Sequence, residues 1–208
     1  MKIGLLGGSF NPAHGGHRAI SLFAIRALGL DEVWWLVSPG NPLKPRSGMA
    51  PLPARVARAR QVARRAPIRA TAIETRLGTR YTVDTVRAIA RRYRRNRFIW
   101  LMGADNLAQL AQWKDWRDIA RQLPIAVIAR PGYDDDARGS VAMGWLRHFV
   151  RSPSQGTDWT NWRPPALVLL RFRPDPRSAT LLRQAEPLWH REYEEVRVRD
   201  ALTRRYVV

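Results

Sequence analysis

Lys2-Ile3-Gly4-Leu5-Leu6-Gly7-Gly8-Ser9-Phe10-Asn11-Pro12-Ala13-His14-Gly15-Gly16-His17 is the stretch that decides the fold of this chain. Lys2 to Leu6 reads as a strand, and its lack of polar alternation makes it a strand buried on both faces. A glycine-rich turn follows, then a helix from about Gly16 to Leu28 with Ile20, Phe23, Ala24 and Ala27 on one face. A buried strand passing through glycines into a helix is the opening unit of a parallel α/β sheet.

The rest of the chain repeats that alternation. Glu32 to Val37 is a second strand, closed by the breakers Ser38-Pro39-Gly40-Asn41-Pro42. Ala54 to Ala66 is an arginine-laced helix whose apolar face is Val56, Ala59, Val62, Ala63 and Ala66, and Ile68 to Glu74 is a further strand. A helix from about Thr82 to Tyr93 leads to the strand Phe98 to Met102. The helix expected next, Leu107 to Gln122, carries Trp113 and Trp116 one turn apart. Ile125 to Ala129 is a strand stopped by Arg130-Pro131-Gly132. From Tyr133 to Arg163 the pattern weakens to a helix near Val141 to Phe149 and a polar loop. Ala166 to Phe172 is the last clear strand, and Pro176 and Ser178 open a final helical region. The expected architecture is a Rossmann-like, doubly wound parallel sheet in one domain over 1–208. Its α/β core runs to about residue 172 and a small C-terminal helical part begins at about 173.

The 208 residues contain no cysteine, which excludes disulfide scaffolds, thiolate metal sites and cysteine nucleophiles. Apolar runs such as Val33 to Val37 and Ala166 to Leu170 fall far short of the ~20 residues of a membrane helix. The glycine-rich opening does not read as a signal peptide, so a cytoplasmic protein is the expectation. Thirty-six basic residues against 17 acidic give a net charge of +19, and all the basic residues except Lys2, Lys44 and Lys114 are arginine. Such a field favours polyanions: nucleotides, phosphorylated metabolites or nucleic acid. Arg55 to Arg97 alone holds 14 arginines against Glu74 and Asp84, enough for the basic face of a nucleic-acid-binding module. No recognised nucleic-acid motif accompanies it.

Chemistry concentrates in the first strand-to-helix turn. In an open α/β sheet, ligands bind beyond the carboxyl ends of the strands, and a helix N-terminus there favours an anion. Gly7 and Gly8 let the backbone approach a phosphate closely. His14 and His17, three apart at the helix start, share one face. The turn is neither a Walker loop nor a G-x-G-x-x-G dinucleotide fingerprint. Two histidines with no cysteine to join them do not make a zinc site, and no protein-held metal is expected. Farther on, Asp105 just past a strand end suits a ribose hydroxyl or a helix cap. Ser178 and Thr180 at a helix start suit a cap or phosphate oxygens, with Arg183 within reach of the same end.

Gly-Gly-Ser-Phe-Asn-Pro-x-His-x-Gly-His, residues 7–17, resembles the signature of the HxGH nucleotidylyltransferase superfamily, and most closely its bacterial nicotinate-nucleotide adenylyltransferases. Asn11 stands where aspartate is frequent. The resemblance continues in order through Asn41-Pro42-Leu43-Lys44, Tyr81-Thr82-Val83-Asp84-Thr85, Gly103-Ala104-Asp105-Asn106-Leu107 with Trp113 and Trp116, and Arg130-Pro131-Gly132. It ends at Ser178-Ala179-Thr180-Leu181-Leu182-Arg183, similar to the second superfamily motif S-x-T-x-x-R. The resemblance implies adenylyl transfer from ATP to nicotinate mononucleotide, with ATP arriving as its Mg2+ complex. It makes His14, His17 and Arg183 catalytic. It assigns ATP to Gly7, Gly8, Ser9, Phe10, Gly103, Asp105, Ser178 and Thr180. Nicotinate mononucleotide falls to Lys44, Thr82, Thr85, Trp113 and Lys114, with Trp113 as the ring platform and backbone N–H groups near Thr82 and Lys114 meeting the carboxylate. Relatives acting on nicotinamide mononucleotide or phosphopantetheine, and cytidylyltransferases, share the signature. Length and the Trp113 region argue against the phosphopantetheine form.

Overall fold

The computed structural model describes residues 1–40, 48–129, 137, 139–172 and 179–208. They contain a seven-stranded sheet of β1 (Lys2–Gly8), β2 (Glu32–Val37), β3 (Ile68–Thr71), β4 (Arg97–Gly103), β5 (Ile125–Ala129), β6 (Val150–Arg151) and β7 (Leu167–Arg171). The strand order is β3-β2-β1-β4-β5-β7-β6 and every pairing is parallel, the doubly wound arrangement expected.

The apolar runs follow from burial on both faces. Side chains alternate across the sheet, so Val33, Trp35, Val37, Ile99 and Leu101 enter one core while Trp34, Leu36, Phe98, Trp100 and Met102 enter the other. Helices α1 (Gly15–Leu28) and α2 (Leu52–Ala63) cover the first face through Ile20, Ala24, Val56 and Ala59. The second is covered by α4 (Thr82–Arg92), α5 (Ala104–Gln109) and α6 (Trp116–Gln122), using Val86, Ile89, Leu107 and Ala120. The short α3 (Ile73–Leu77) precedes α4.

Two expected elements differ. The strand expected over Ile68 to Glu74 stops at Thr71 and gives way to α3. Asp200 causes the change: its carboxylate accepts from Thr71 Oγ1 at 2.8 Å and from the Ala72 N–H at 2.6 Å, drawing the chain out of the ladder. The single helix expected over Leu107 to Gln122 is broken. A 3-10 turn at Leu110–Gln112 leads to an extended Trp113, and Asp115 takes a left-handed φ of 46° before α6 begins. Aspartate tolerates that region better than most side chains, so no glycine marks the break. Trp113 therefore lies between helices, whereas Trp116 is in the core against Trp145.

The C-terminal part packs on the α1 and α2 face, where Trp189, Tyr193 and Val198 join the core. Asp200 is 4% exposed and also accepts from the N–H groups of Leu202 and Thr203, so a buried carboxylate is fully used as an acceptor. Among the described residues no helix is long and apolar enough to cross a membrane. The segments Asn41-Pro42-Leu43-Lys44 and Arg130-Pro131-Gly132, together with Ser178, lie outside the described residues.

Candidate active site

Strand β1 is where the winding of the sheet reverses. The chain leaves it through α1 to β2 on one side, while β4 pairs on its other side. The carboxyl ends of β1 and β4 therefore open a crevice, the usual ligand site of such sheets. Gly7 and Gly8 end β1, Gly103 ends β4, and Asp105 is exposed in the first turn of α5. Packing supplies a second reason for the glycines. A Cβ on Gly7 would sit 2.8 Å from the Trp100 ring, one on Gly8 3.3 Å from the Phe10 ring, and one on Gly103 would collide with the Asp105 carboxylate.

The turn between β1 and α1 is held from several sides. Phe10 takes a left-handed φ of 46°, an uncommon conformation for an aromatic residue. Its ring is buried, stacked on Trp35 at 5.1 Å and tilted against His17 at 4.8 Å. The side chain of Phe10 is therefore core rather than a ligand surface, and any contact with ATP must come from its backbone. His14 caps α1: its Nδ1 accepts from the Gly16 N–H at 3.1 Å, and its own N–H donates to His17 Nδ1 at 3.2 Å. With Nδ1 accepting in both rings, the proton of each neutral imidazole resides on Nε2, which makes Nε2–H the donor edge. The rings lie 4.0 Å apart. Ser21 fixes the first turn of α1 to the sheet, donating to the His17 carbonyl and accepting from Trp35 Nε1, both at 2.8 Å.

The second motif reaches this turn. Arg183 donates from Nη1 to the Asn11 carbonyl at 2.6 Å, and its Nη2 lies 3.3 Å from Thr180 Oγ1. Asn11 in turn bonds the lead-in to α2 through the Gly48 carbonyl and the Ala50 N–H. His14, His17, Thr180 and Arg183 are thereby brought together.

On the other side of the crevice, Trp113 is half-buried and meets Trp100 edge-on at 6.4 Å. Trp100 links it to Gly7. Lys114 spans to the start of α4, 4.7 Å above the Tyr81 ring and 3.8 Å from Asp84 Oδ2. Thr82 is the half-buried first residue of α4. Thr85 is placed differently from the expectation: it is fully buried, with Oγ1 3.0 Å from Glu74 Oε1 and 2.9 Å from Thr79 Oγ1. Its side chain braces the start of α4 against Glu74 and Thr79.

Residues 5–185 match the cytidylyltransferase-like family. The chain is 60% identical over 207 residues to the probable nicotinate-nucleotide adenylyltransferase of Erythrobacter litoralis (strain HTCC2594), covering 100% of this chain and 94% of that protein. The chain belongs to the nicotinate-nucleotide adenylyltransferase family. A second member, the probable nicotinate-nucleotide adenylyltransferase of Parvibaculum lavamentivorans, is 50% identical over 184 residues, covering 88% of this chain and 92% of that one. The fold is also that of Plasmodium falciparum nicotinic acid mononucleotide adenylyltransferase complexed with NaAD. That structure aligns with a TM-score of 0.64 at 14% identity, over 88% of this chain and 82% of that one.

Besides Glu32 and Asp200, two further charged residues of this adenylyltransferase family member are buried, Arg55 and Glu74. Arg55, counted in the sequence reading on a basic face, is 1% exposed. Its signal was its position: on α2 it precedes Ala59 by four and Val62 by seven, which places it on the apolar stripe. Burial pushes its guanidinium down to about 10, which leaves it charged at neutral pH. Glu74, also buried, has its carboxyl pushed up to about 7 by burial, against the opposing hydrogen bonds of Thr85 and Ser38. A depression lined by Asn96, Arg97, Gln122, Pro124 and Trp159 lies at the amino-terminal edge of the sheet, opposite the carboxyl ends where ligands of such sheets bind.

Proposed function

We propose that this chain transfers the adenylyl group of ATP to nicotinate mononucleotide, giving nicotinate adenine dinucleotide and pyrophosphate in NAD biosynthesis in the cytoplasm. The observation that carries the reading is the hydrogen bond from Arg183 to the Asn11 carbonyl, which joins the S-x-T-x-x-R and H-x-G-H segments at the switch point of the sheet. A phosphate oxygen of the mononucleotide forms a bond to the α-phosphorus. The bond from that phosphorus to the oxygen bridging to the β-phosphorus breaks, and the electron pair leaves with pyrophosphate. The nucleophile is already an anion, so no general base is needed, and the protein's task is positioning and charge stabilisation.

In this reading His14 and His17 donate from Nε2 to the phosphate oxygens on which charge develops, while Gly7, Gly8, Ser9 and the Phe10 backbone form the floor. Ser178, Thr180 and Arg183 hold the β- and γ-phosphates, and Gly103 and Asp105 receive the ribose. Trp113 stacks the pyridine ring, Lys44 adds charge, and the backbone near Thr82 and Lys114 meets the carboxylate. These donors suit phosphate oxygens better than a hard cation. Magnesium would accordingly be held by the triphosphate and water, neutralising phosphate charge. Backbone N–H donors favour a carboxylate over an amide, whose own N–H groups would be left unpaired.

The test is pyrophosphate release with ATP and Mg2+ and each of nicotinate mononucleotide, nicotinamide mononucleotide and phosphopantetheine. The expected preference for the nicotinate form is at least about tenfold in kcat/KM. Equal use of both pyridine nucleotides removes the donor-only pocket and keeps the class. Turnover with phosphopantetheine alone overturns the assignment.

A further inference from the structure

Arg55 is a buried cation whose recorded partners are all neutral. Nε donates to the Ala50 carbonyl at 2.8 Å, Nη1 to the Ser9 carbonyl at 2.8 Å and the Ser38 carbonyl at 2.6 Å, and Nη2 lies 3.4 Å from the Pro39 carbonyl. Those acceptors come from the β1–α1 turn, the end of β2 and the lead-in to α2. Among the described residues no carboxylate forms an ion pair with it. Carbonyl dipoles satisfy the donors of a buried guanidinium but do not cancel its charge, and a buried charge without an opposite one is costly. If three loops merely had to be tied together, neutral donors would do so without that cost.

We propose that Arg55 is a positioning residue of the phosphate site, whose charge is the standing counterpart of the phosphates bound on the far side of the turn. The proposal rests on the adenylyl-transfer reading and adds to it a residue that touches no substrate. The Ser9 carbonyl belongs to the same peptide unit as the Phe10 N–H. A guanidinium on one end of that unit polarises it and makes the N–H at the other end a stronger donor. The same contact holds Phe10 in its left-handed conformation, so geometry and polarisation are set together. The network also runs outward, because the Ser38 carbonyl that Arg55 holds lies just past the end of β2.

A purely structural clamp and a countercharge respond differently to substitution. Arg55→Lys keeps the charge and loses the fork, whereas Arg55→Gln keeps neutral donors and loses the charge. Binding of inorganic pyrophosphate and of adenosine is measured by calorimetry for the wild type and both variants, with thermal unfolding alongside. The proposal expects Arg55→Gln to bind pyrophosphate at least about tenfold more weakly with adenosine affinity within about threefold of wild type. Arg55→Lys should stay within about threefold for both ligands, even though its Tm falls. Pyrophosphate affinity unchanged in folded Arg55→Gln overturns the proposal. Should the Gln variant not fold, Arg55→Lys decides: parallel loss of both ligands overturns it, and retained pyrophosphate affinity at lowered Tm supports it. Wild-type turnover with ATP and nicotinate mononucleotide, run beside these titrations, separates the two levels. Its absence defeats the adenylyl-transfer reading and this proposal with it, while active wild type with a charge-insensitive Arg55 defeats the proposal alone.

Discussion

Arg183 and Asn11 are 172 residues apart in sequence and share a 2.6 Å hydrogen bond from guanidinium to backbone carbonyl. The arginine thus supports the first motif's turn while its fork faces the crevice end of the Ala179–Ala185 helix, where it also meets Thr180. On the proposed mechanism, replacing Arg183 by alanine removes a charge from the leaving pyrophosphate, and it frees the Asn11 carbonyl. We expect kcat/KM for ATP to fall about 10²-fold, the scale of one charge-stabilising group, with a lower Tm from loss of the charged bond to Asn11. Steady-state kinetics with a thermal melt checks both. Near-normal turnover in a folded variant removes Arg183 from the site.

His17 has two duties that one substitution separates. Its Nδ1 accepts the His14 N–H in the cap of α1, and its Nε2 edge is the proposed phosphate donor. Alanine at this position should lower stability by roughly 0.5–2 kcal/mol, the value of a lost helix cap, and slow pyrophosphate release about 10²–10³-fold. Urea unfolding and single-turnover kinetics measure the two separately. A stability loss without a rate loss would make the histidine a cap alone.

Glu74 gives the protein a pH-dependent stability with a definite sign. Its carboxyl titrates at about 7 when folded, against an ordinary value of 4.5 for a solvated glutamate, because burial disfavours the charged form. The folded state therefore binds the proton more tightly. That contribution is complete below about pH 4.5 and is lost as pH rises through about 7, a change of about 3 kcal/mol. Denaturant titrations at pH 5 and pH 8 should show wild type losing stability over that interval relative to Glu74→Gln. Parallel curves for the two proteins would falsify the assignment of the slope to Glu74.

Trp113 and Lys114 are neighbours with different expected roles. The indole is the proposed ring platform, propped edge-on by Trp100, whereas the Lys114 side chain is exposed and engaged with Tyr81 and Asp84. An exposed pair of this kind contributes little. Trp113→Ala should raise KM for nicotinate mononucleotide at least about tenfold, the loss of one stacked ring, while Lys114→Ala should change it less than about threefold. Reversed effects would move recognition from the stacked ring and the backbone to the lysine charge.

The sheet was legible because most of its strands are apolar runs bounded by glycine and proline, and all but the two-residue β6 could be read from the sequence. The candidate site's first turn was legible because His14 and His17 fall one turn apart after a glycine pair. The misread places depend on partners far away in sequence. Nothing local ends β3 at Thr71, since Asp200 does that from 129 residues away. Nothing local turns Thr85 inward, since its partner is Glu74, itself assigned to a strand until the fold placed it on α3. Arg55 was misjudged for a related reason. Arginine is rarely fully buried, and composition counts a charge without its surroundings.

The same long reach imposes an order of events during synthesis. A ribosome that has completed β1 through β5 has already joined both histidines, Gly103 and Asp105 into the chain, and these segments can begin to pack as they emerge at roughly 5–20 residues per second. Arg183 and Asp200 are still untranslated at that point. Without Asp200 the end of β3 has no partner for the Thr71 hydroxyl or the Ala72 N–H, and without Arg183 the Asn11 carbonyl lacks its donor. A nascent chain therefore displays the proposed phosphate turn well before it holds Arg183, the arginine proposed to receive the departing pyrophosphate. The contacts that close the β1–α1 turn and the end of β3 form only after translation has passed both residues.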